Sequence, residues 1–64
     1  MKIVATDNFD RETVSDYLVA ENITSNDYAE AMCDALNAKF GGDDALRFYQ
    51  VKPDDYVLYL FDPT

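Results

Sequence analysis

From Thr24 to Gly42 the sequence spells one complete helix, with a start, an apolar stripe and a stop. Thr24 or Ser25 offers a side-chain oxygen to the first unpaired N–H groups. Asp27 puts an anion in the first turn, where the helix dipole favours it. Ala29, Met32, Cys33, Leu36 and Phe40 recur at helical spacing and form one apolar stripe. Lys39 places a cation in the last turn, and Gly41-Gly42 supplies a residue tolerant of positive φ for the stop. The spacing predicts a helix over 25–40, and the rest of the chain must give its stripe something to lie on.

That surface is expected to be a small sheet. Residues 2–5 read as a short strand, and 7–13 as a polar loop or a single turn. Residues 15–22 are two-sided: with Val14 before them, Tyr17 and Leu18 have helical spacing, yet Tyr-Leu-Val is also a good strand run; we take 15–22 as a strand. Residues 46–51 and 56–61 are rich in β-formers. Lys52-Pro53-Asp54-Asp55 between them is turn chemistry, with Pro53 preset for the first central position of a type I turn. In the resulting hairpin Val51 faces Tyr56, Tyr49 faces Leu58 and Phe48 faces Tyr59. One sheet face carries Leu46, Phe48, Val57, Tyr59 and Phe61; the other carries Tyr49, Val51, Tyr56, Leu58 and Leu60. A single helix covers only one apolar face. The second needs the N-terminal segment, a second copy in a homodimer, or a partner. The expectation is a single α+β domain over 1–64, with one helix packed on a small, mostly antiparallel sheet in the order β-β-α-β-β.

Little in the chain suits catalysis. It has no histidine, the commonest general base and metal ligand near neutral pH. Cys33, its single cysteine, lies on the apolar stripe beside Met32 and Leu36, where a packed core thiol is expected. One cysteine makes neither an internal disulfide nor a thiolate metal site, which favours a reducing compartment. No phosphate loop or dinucleotide fingerprint is present. Asp43-Asp44 and Asp54-Asp55 are paired carboxylates, but they fall in turns, where Asp is common, and fit no EF-hand spacing. No enzyme activity, cofactor or metal is expected. The apolar run at the N-terminus is too short for a signal peptide and no stretch reaches membrane-spanning length, so a cytoplasmic protein is expected.

Charge says more. Thirteen acids, ten of them Asp, face five bases, for a net charge of −8. Such a chain repels nucleic acid directly, because phosphate binding needs Lys and Arg. An electrostatically chosen partner is basic. Hydrophobic content of 48% excludes a disordered acidic tail.

The acids are not scattered evenly. Asp27, Glu30 and Asp34, three and four residues apart, share the helix face opposite the apolar stripe, with no Lys or Arg between them. A face tuned for helix stability interleaves Lys. Such a row is also what a merely solvated helix face looks like. Glu21 precedes it, Asp43 and Asp44 follow it, and Asp7, Asp10, Glu12 and Asp16 crowd the loop before it. Steps of three and four residues rise about 4.5–6 Å along a helix. Phosphates on one DNA strand advance about 3.4 Å along the axis. The row loosely imitates a phosphate backbone, and Tyr17, Tyr28, Tyr49, Tyr56 and Tyr59 suit a protein interface.

As a short, Asp-rich, Tyr-containing, histidine-free domain, the whole chain resembles the small acidic inhibitors encoded by phages and mobile elements, in particular the anti-CRISPR proteins that act as DNA mimics. The stretch Val-Lys-Pro-Asp-Asp-Tyr-Val-Leu-Tyr, residues 51–59, is also similar to the tail of small bacterial and phage proteins of no assigned function. The resemblance implies an inhibitor that blocks the basic DNA-binding site of a CRISPR surveillance complex inside a bacterial host. The binding residues expected from the charge pattern are Asp27, Glu30 and Asp34, extended by Asp43 and Asp44. The alternative is a small structural module that dimerises through its sheet face, with Tyr49 and Leu58 at the contact and its acidity incidental.

Overall fold

A computed structural model describes residues 1–9, 11 and 13–62. The chain order is β1 (Lys2–Asp7), β2 (Tyr17–Ala20), α1 (Asn26–Phe40) and β3 (Arg47–Lys52). The strands form one antiparallel sheet in the spatial order β2-β1-β3. The α+β class and the single helix on an antiparallel sheet hold. The expected fourth strand is not there among the described residues: the order is β-β-α-β, not β-β-α-β-β.

β1 is the centre of the molecule. It pairs with β3 along its full length, from Lys2 opposite Lys52 to Asp7 opposite Arg47. With β2 it pairs Ile3–Ala20, Val4–Leu18 and Ala5–Tyr17, and a register shift leaves Val19 without an opposite residue. Ile3, Val4 and Ala5 are all fully buried, so both faces of β1 are covered.

The helix covers one of them. Ser25 caps it by accepting from the Tyr28 N–H at 3.4 Å. Its stop divides the work between two glycines. Gly42 takes the positive φ of 122°, while a side chain on Gly41 would meet the Asn37 carbonyl oxygen at 2.4 Å. The helix packs on β3 and more lightly on β1, and does not reach β2. Ala29 and Cys33 are its only buried residues. The predicted stripe is therefore narrower than expected, with Met32 43% and Phe40 55% exposed.

The other face of β1 lies under residues 56–59. The turn after β3 is closed by the Tyr56 N–H on the Pro53 carbonyl, so Pro53 opens the turn instead of occupying its first central position. The chain then leaves the sheet plane. The Lys2 ammonium donates to the Tyr56 carbonyl, and the Asp16 N–H donates to the Tyr59 carbonyl at 2.8 Å. The expected hairpin is excluded by occupancy. The inner edge of β3 belongs to β1, and its outer edge at Tyr49 is taken by the Asn37 side chain. The two-faced apolar sheet expected from 46–51 and 56–61 does not form. Tyr49 and Leu58, the contact expected for dimerisation through that sheet, are each partly buried in the monomer.

Candidate functional site

Helical geometry settles which side chains share a flank of α1. At about 100° per residue, Asp27, Glu30 and Asp34 fall within one narrow sector, on one side of the buried line through Ala29 and Cys33. All three are exposed. None lies within ion-pair distance of a cation among the described residues.

The reason is visible in where the bases go. Arg11 is bound to Asp7, its Nη2 2.7 Å from Oδ1. Arg47 donates to the Ser15 carbonyl at 2.6 Å and lies 4.9 Å from the centre of the Tyr17 ring. Lys2 donates to the Tyr56 carbonyl, and Lys52 lies over the Tyr56 ring at 4.9 Å. Lys39 lies 5.9 Å from the ring of its neighbour Phe40. All five bases of the chain are thus engaged away from the acidic flank.

Asp43 and Asp44 are exposed in the turn beyond the C-terminal end of α1. That turn is held by the Ala45 N–H on the Gly42 carbonyl and by the Asn8 amide, which donates to the Gly42 and Ala45 carbonyls. They lie at the opposite end of the helix from Asp27. Glu21 is exposed just before it.

Two acids expected to join the display do not. Asp7 is 8% exposed; it accepts from the Arg11 side chain and from the Arg11 N–H at 2.6 Å. Hydrogen bonds from the Arg11 guanidinium hold the Asp7 carboxyl down at about 2, against the opposing effect of burial. Asp16, also 8% exposed, accepts on Oδ2 from the Tyr56 hydroxyl at 2.7 Å and the Tyr59 N–H at 2.9 Å. Both carboxylates are fastenings for loops. Asp10 and Glu12 lie outside the described residues. The Asp7–Arg11 pair was readable as an opposite-charge i, i+4 spacing; Asp16 carried no such signal, because its partners are 40 and 43 residues away.

These engagements also define what the groups can do chemically. Asp7 is a poor proton acceptor at neutral pH, because its affinity for a proton is spent on Arg11. Burial, aided by the negative charge of Asp34, pushes the Cys33 thiol up, and its Sγ donates to the Tyr49 carbonyl at 3.0 Å. It is a packed thiol in a hydrogen bond, not a thiolate. No three His, Cys, Asp or Glu side chains gather as metal ligands among the described residues. Likewise no helix among them is long and apolar enough to cross a membrane.

Compared with protein-family models, curated proteins and solved structures, the chain matches none.

Proposed function

We propose that the chain is a non-enzymatic binding protein that presents Asp27, Glu30 and Asp34 to a basic, nucleic-acid-binding site of another protein. The single observation behind this is the uncompensated flank of α1: three exposed carboxylates in one sector, with every base of the chain committed elsewhere. Like charges three and four residues apart cost a helix roughly 0.2–0.5 kcal/mol per pair. A surface that only needed to be soluble has cheaper arrangements.

The mechanism is competition. Arg and Lys side chains that hold phosphate pair equally well with carboxylates. A mimic of −8 net charge is steered to them quickly, and its hold weakens as salt screens the pairs. Asp43 and Asp44 extend the charged edge past the end of the helix. In the setting implied by the resemblance to anti-CRISPR proteins, the target is a subunit of a CRISPR surveillance complex in the cytoplasm of a bacterial host.

Affinity capture from a bacterial lysate, with and without excess duplex DNA, tests this directly. The expected catch is a nucleic-acid-binding protein that DNA displaces, and that the triple variant D27N/E30Q/D34N fails to hold. A catch indifferent to both DNA and the triple variant sinks the proposal.

A further inference from the structure

Where residues 56–59 pass beneath β1 and reach Asp16, they leave a cavity of about 260 Å³. Thr6, Val14, Tyr56 and Tyr59 line it, and Arg11 and Asp16 bring charge to its wall. The space is several times what one water occupies in the liquid, about 30 Å³. It falls below the range of about 300–1,000 Å³ usual for larger ligands, so a small group fits it.

The charges around it do not cancel. Arg11 grips both oxygens of Asp7 through Nε and Nη2, so that pair is neutral. Asp16 has no cation within ion-pair distance among the described residues; Arg47, the nearest base in the bonding pattern, donates to the Ser15 carbonyl instead. The two hydrogen bonds to the Asp16 carboxylate, from the Tyr56 hydroxyl and the Tyr59 N–H, both fall on Oδ2. Oδ1 accepts none among the described residues. It is not sealed in either, because every fully enclosed side-chain oxygen or nitrogen among them has a partner. Oδ1 is therefore open to a molecule in the cavity that Asp16 lines. The residue around it is only 8% exposed. A carboxylate so withdrawn from water and lacking a counter-ion is costly, and a cation that reaches it relieves the cost.

The cavity discriminates between cations. A metal ion needs several ligands, and no three His, Cys, Asp or Glu side chains gather among the described residues. A guanidinium is best held by both oxygens of one carboxylate, and here Oδ2 is already taken. An ammonium needs one strong acceptor. Its carbon stem suits apolar walls such as Val14 and the two tyrosines, whose rings also attract cations. We infer that this cavity binds a primary alkylammonium group, with its charge on Asp16 Oδ1. The group belongs either to a free small amine or to the lysine side chain of another polypeptide. The cavity lies on the side of the sheet away from α1, so it acts independently of the acidic row.

Amide NMR titration of the full chain with n-butylammonium, at constant ionic strength, tests this. The amides to watch are Asp16 and Tyr59, which bond to each other's groups. They are expected to shift saturably, with a Kd of about 1–10 mM, the scale of one charged contact and a short stem. 1-Butanol, which lacks the charge, and tetramethylammonium, which has no N–H, bind roughly tenfold more weakly or not at all. Asp16→Asn keeps an acceptor for Tyr56 and Tyr59 but loses the charge, and is expected to abolish the response. Should that variant not fold, Val14→Phe, which narrows the cavity and leaves the charge, decides by weakening it. D27N/E30Q/D34N binds like wild type. Nα-acetyl-lysine methylamide distinguishes the sources: binding as tight as butylammonium points to a polypeptide lysine, and exclusion points to a free amine. Shifts that stay linear with concentration overturn the inference, as does an undiminished response in Asp16→Asn or Val14→Phe. Loss of the response in D27N/E30Q/D34N overturns it too, because the amine is then only drawn to the acidic row.

Discussion

The Asn37 side-chain amide pairs with the Tyr49 backbone as a neighbouring strand would: Nδ2 donates to the Tyr49 carbonyl at 2.9 Å, and Oδ1 accepts the Tyr49 N–H at 3.0 Å. One residue of a helix thereby closes the open edge of β3 at its middle, where an exposed edge invites pairing with another chain. Asn37→Ala leaves the Tyr49 N–H without this partner and the Tyr49 carbonyl with the Cys33 thiol, at a cost of about 1–3 kcal/mol. Asn37→Asp keeps an acceptor for the N–H but sets a carboxylate against the carbonyl, and is expected to cost at least as much. Urea unfolding followed by circular dichroism reads both. A chain this size has only about 3–10 kcal/mol in total, so the shift is large. An unchanged midpoint for both variants shows that this edge needs no closing.

Asp16 performs the same service for the C-terminal segment. Its Oδ2 holds the Tyr56 hydroxyl and the Tyr59 N–H, and the Asp16 N–H holds the Tyr59 carbonyl. Asp16→Ala is expected to cost about 2–3 kcal/mol, as expected for hydrogen bonds to a charged group. Tyr56→Phe removes one of those bonds and costs about 1 kcal/mol. Because both act through one oxygen, the double variant D16A/Y56F costs less than the sum. Strict additivity in a double-mutant cycle contradicts this arrangement.

The local parts of the fold were legible because their signals are local. Ser25, the 3.6-residue stripe and Gly41-Gly42 define α1 to within one residue, and the β-rich runs give β1, β2 and β3 within about two residues at most ends. The fate of 56–61 was not legible. Tyr-Val-Leu-Tyr-Leu-Phe has every strand propensity, and what denies it a strand is Asn37, a polar residue on a different element sitting where the partner edge would be. An Asn interrupting the apolar side of a helix, between Cys33 and Phe40, was the one clue. The acidic row was legible because helical periodicity alone fixes its flank. The withdrawal of Asp7 and Asp16 from the charged surface was less so, since for Asp16 it depends on contacts across the chain.

The pH dependence of stability follows from three groups, Asp7, Asp54 and Tyr56. The folded-state value of Asp7, about 2, lies below the ordinary carboxylate value of about 4. Its contribution is complete above that ordinary value and disappears as pH falls through 2. Asp54, lowered by the N-terminal ammonium beside it, adds to the same acid limb. Tyr56 behaves in the opposite sense. Its hydrogen bond to Asp16, together with burial, raises it above the usual tyrosine value of about 10. That contribution is present below pH 10 or so and is lost as pH rises through the folded-state value. Melting temperatures across the range are expected to fall at both ends. Asp7→Asn should flatten the acid limb and Tyr56→Phe the alkaline one, and limbs that keep their slopes in these variants contradict the assignment.

The acidic flank makes a prediction in which stability and binding move in opposite directions. Glu30 stands between Asp27 and Asp34, so Glu30→Gln relieves both like-charge pairs and is expected to stabilise the helix by about 0.4–1 kcal/mol at low salt. Asp27→Asn relieves one pair but gives up an anion in the first turn, where the dipole favours it by a similar amount, and is expected to be near neutral. The gain from Glu30→Gln fades as salt screens the pairs. The same substitution is expected to weaken capture of a basic partner. A residue retained at a cost to its own helix, and needed for binding, is the mark of a charge kept for a partner. Thermal melts at low and high salt, alongside the capture assay, measure both sides. If Glu30→Gln stabilises the helix and binding is untouched, the row is only a solvated face.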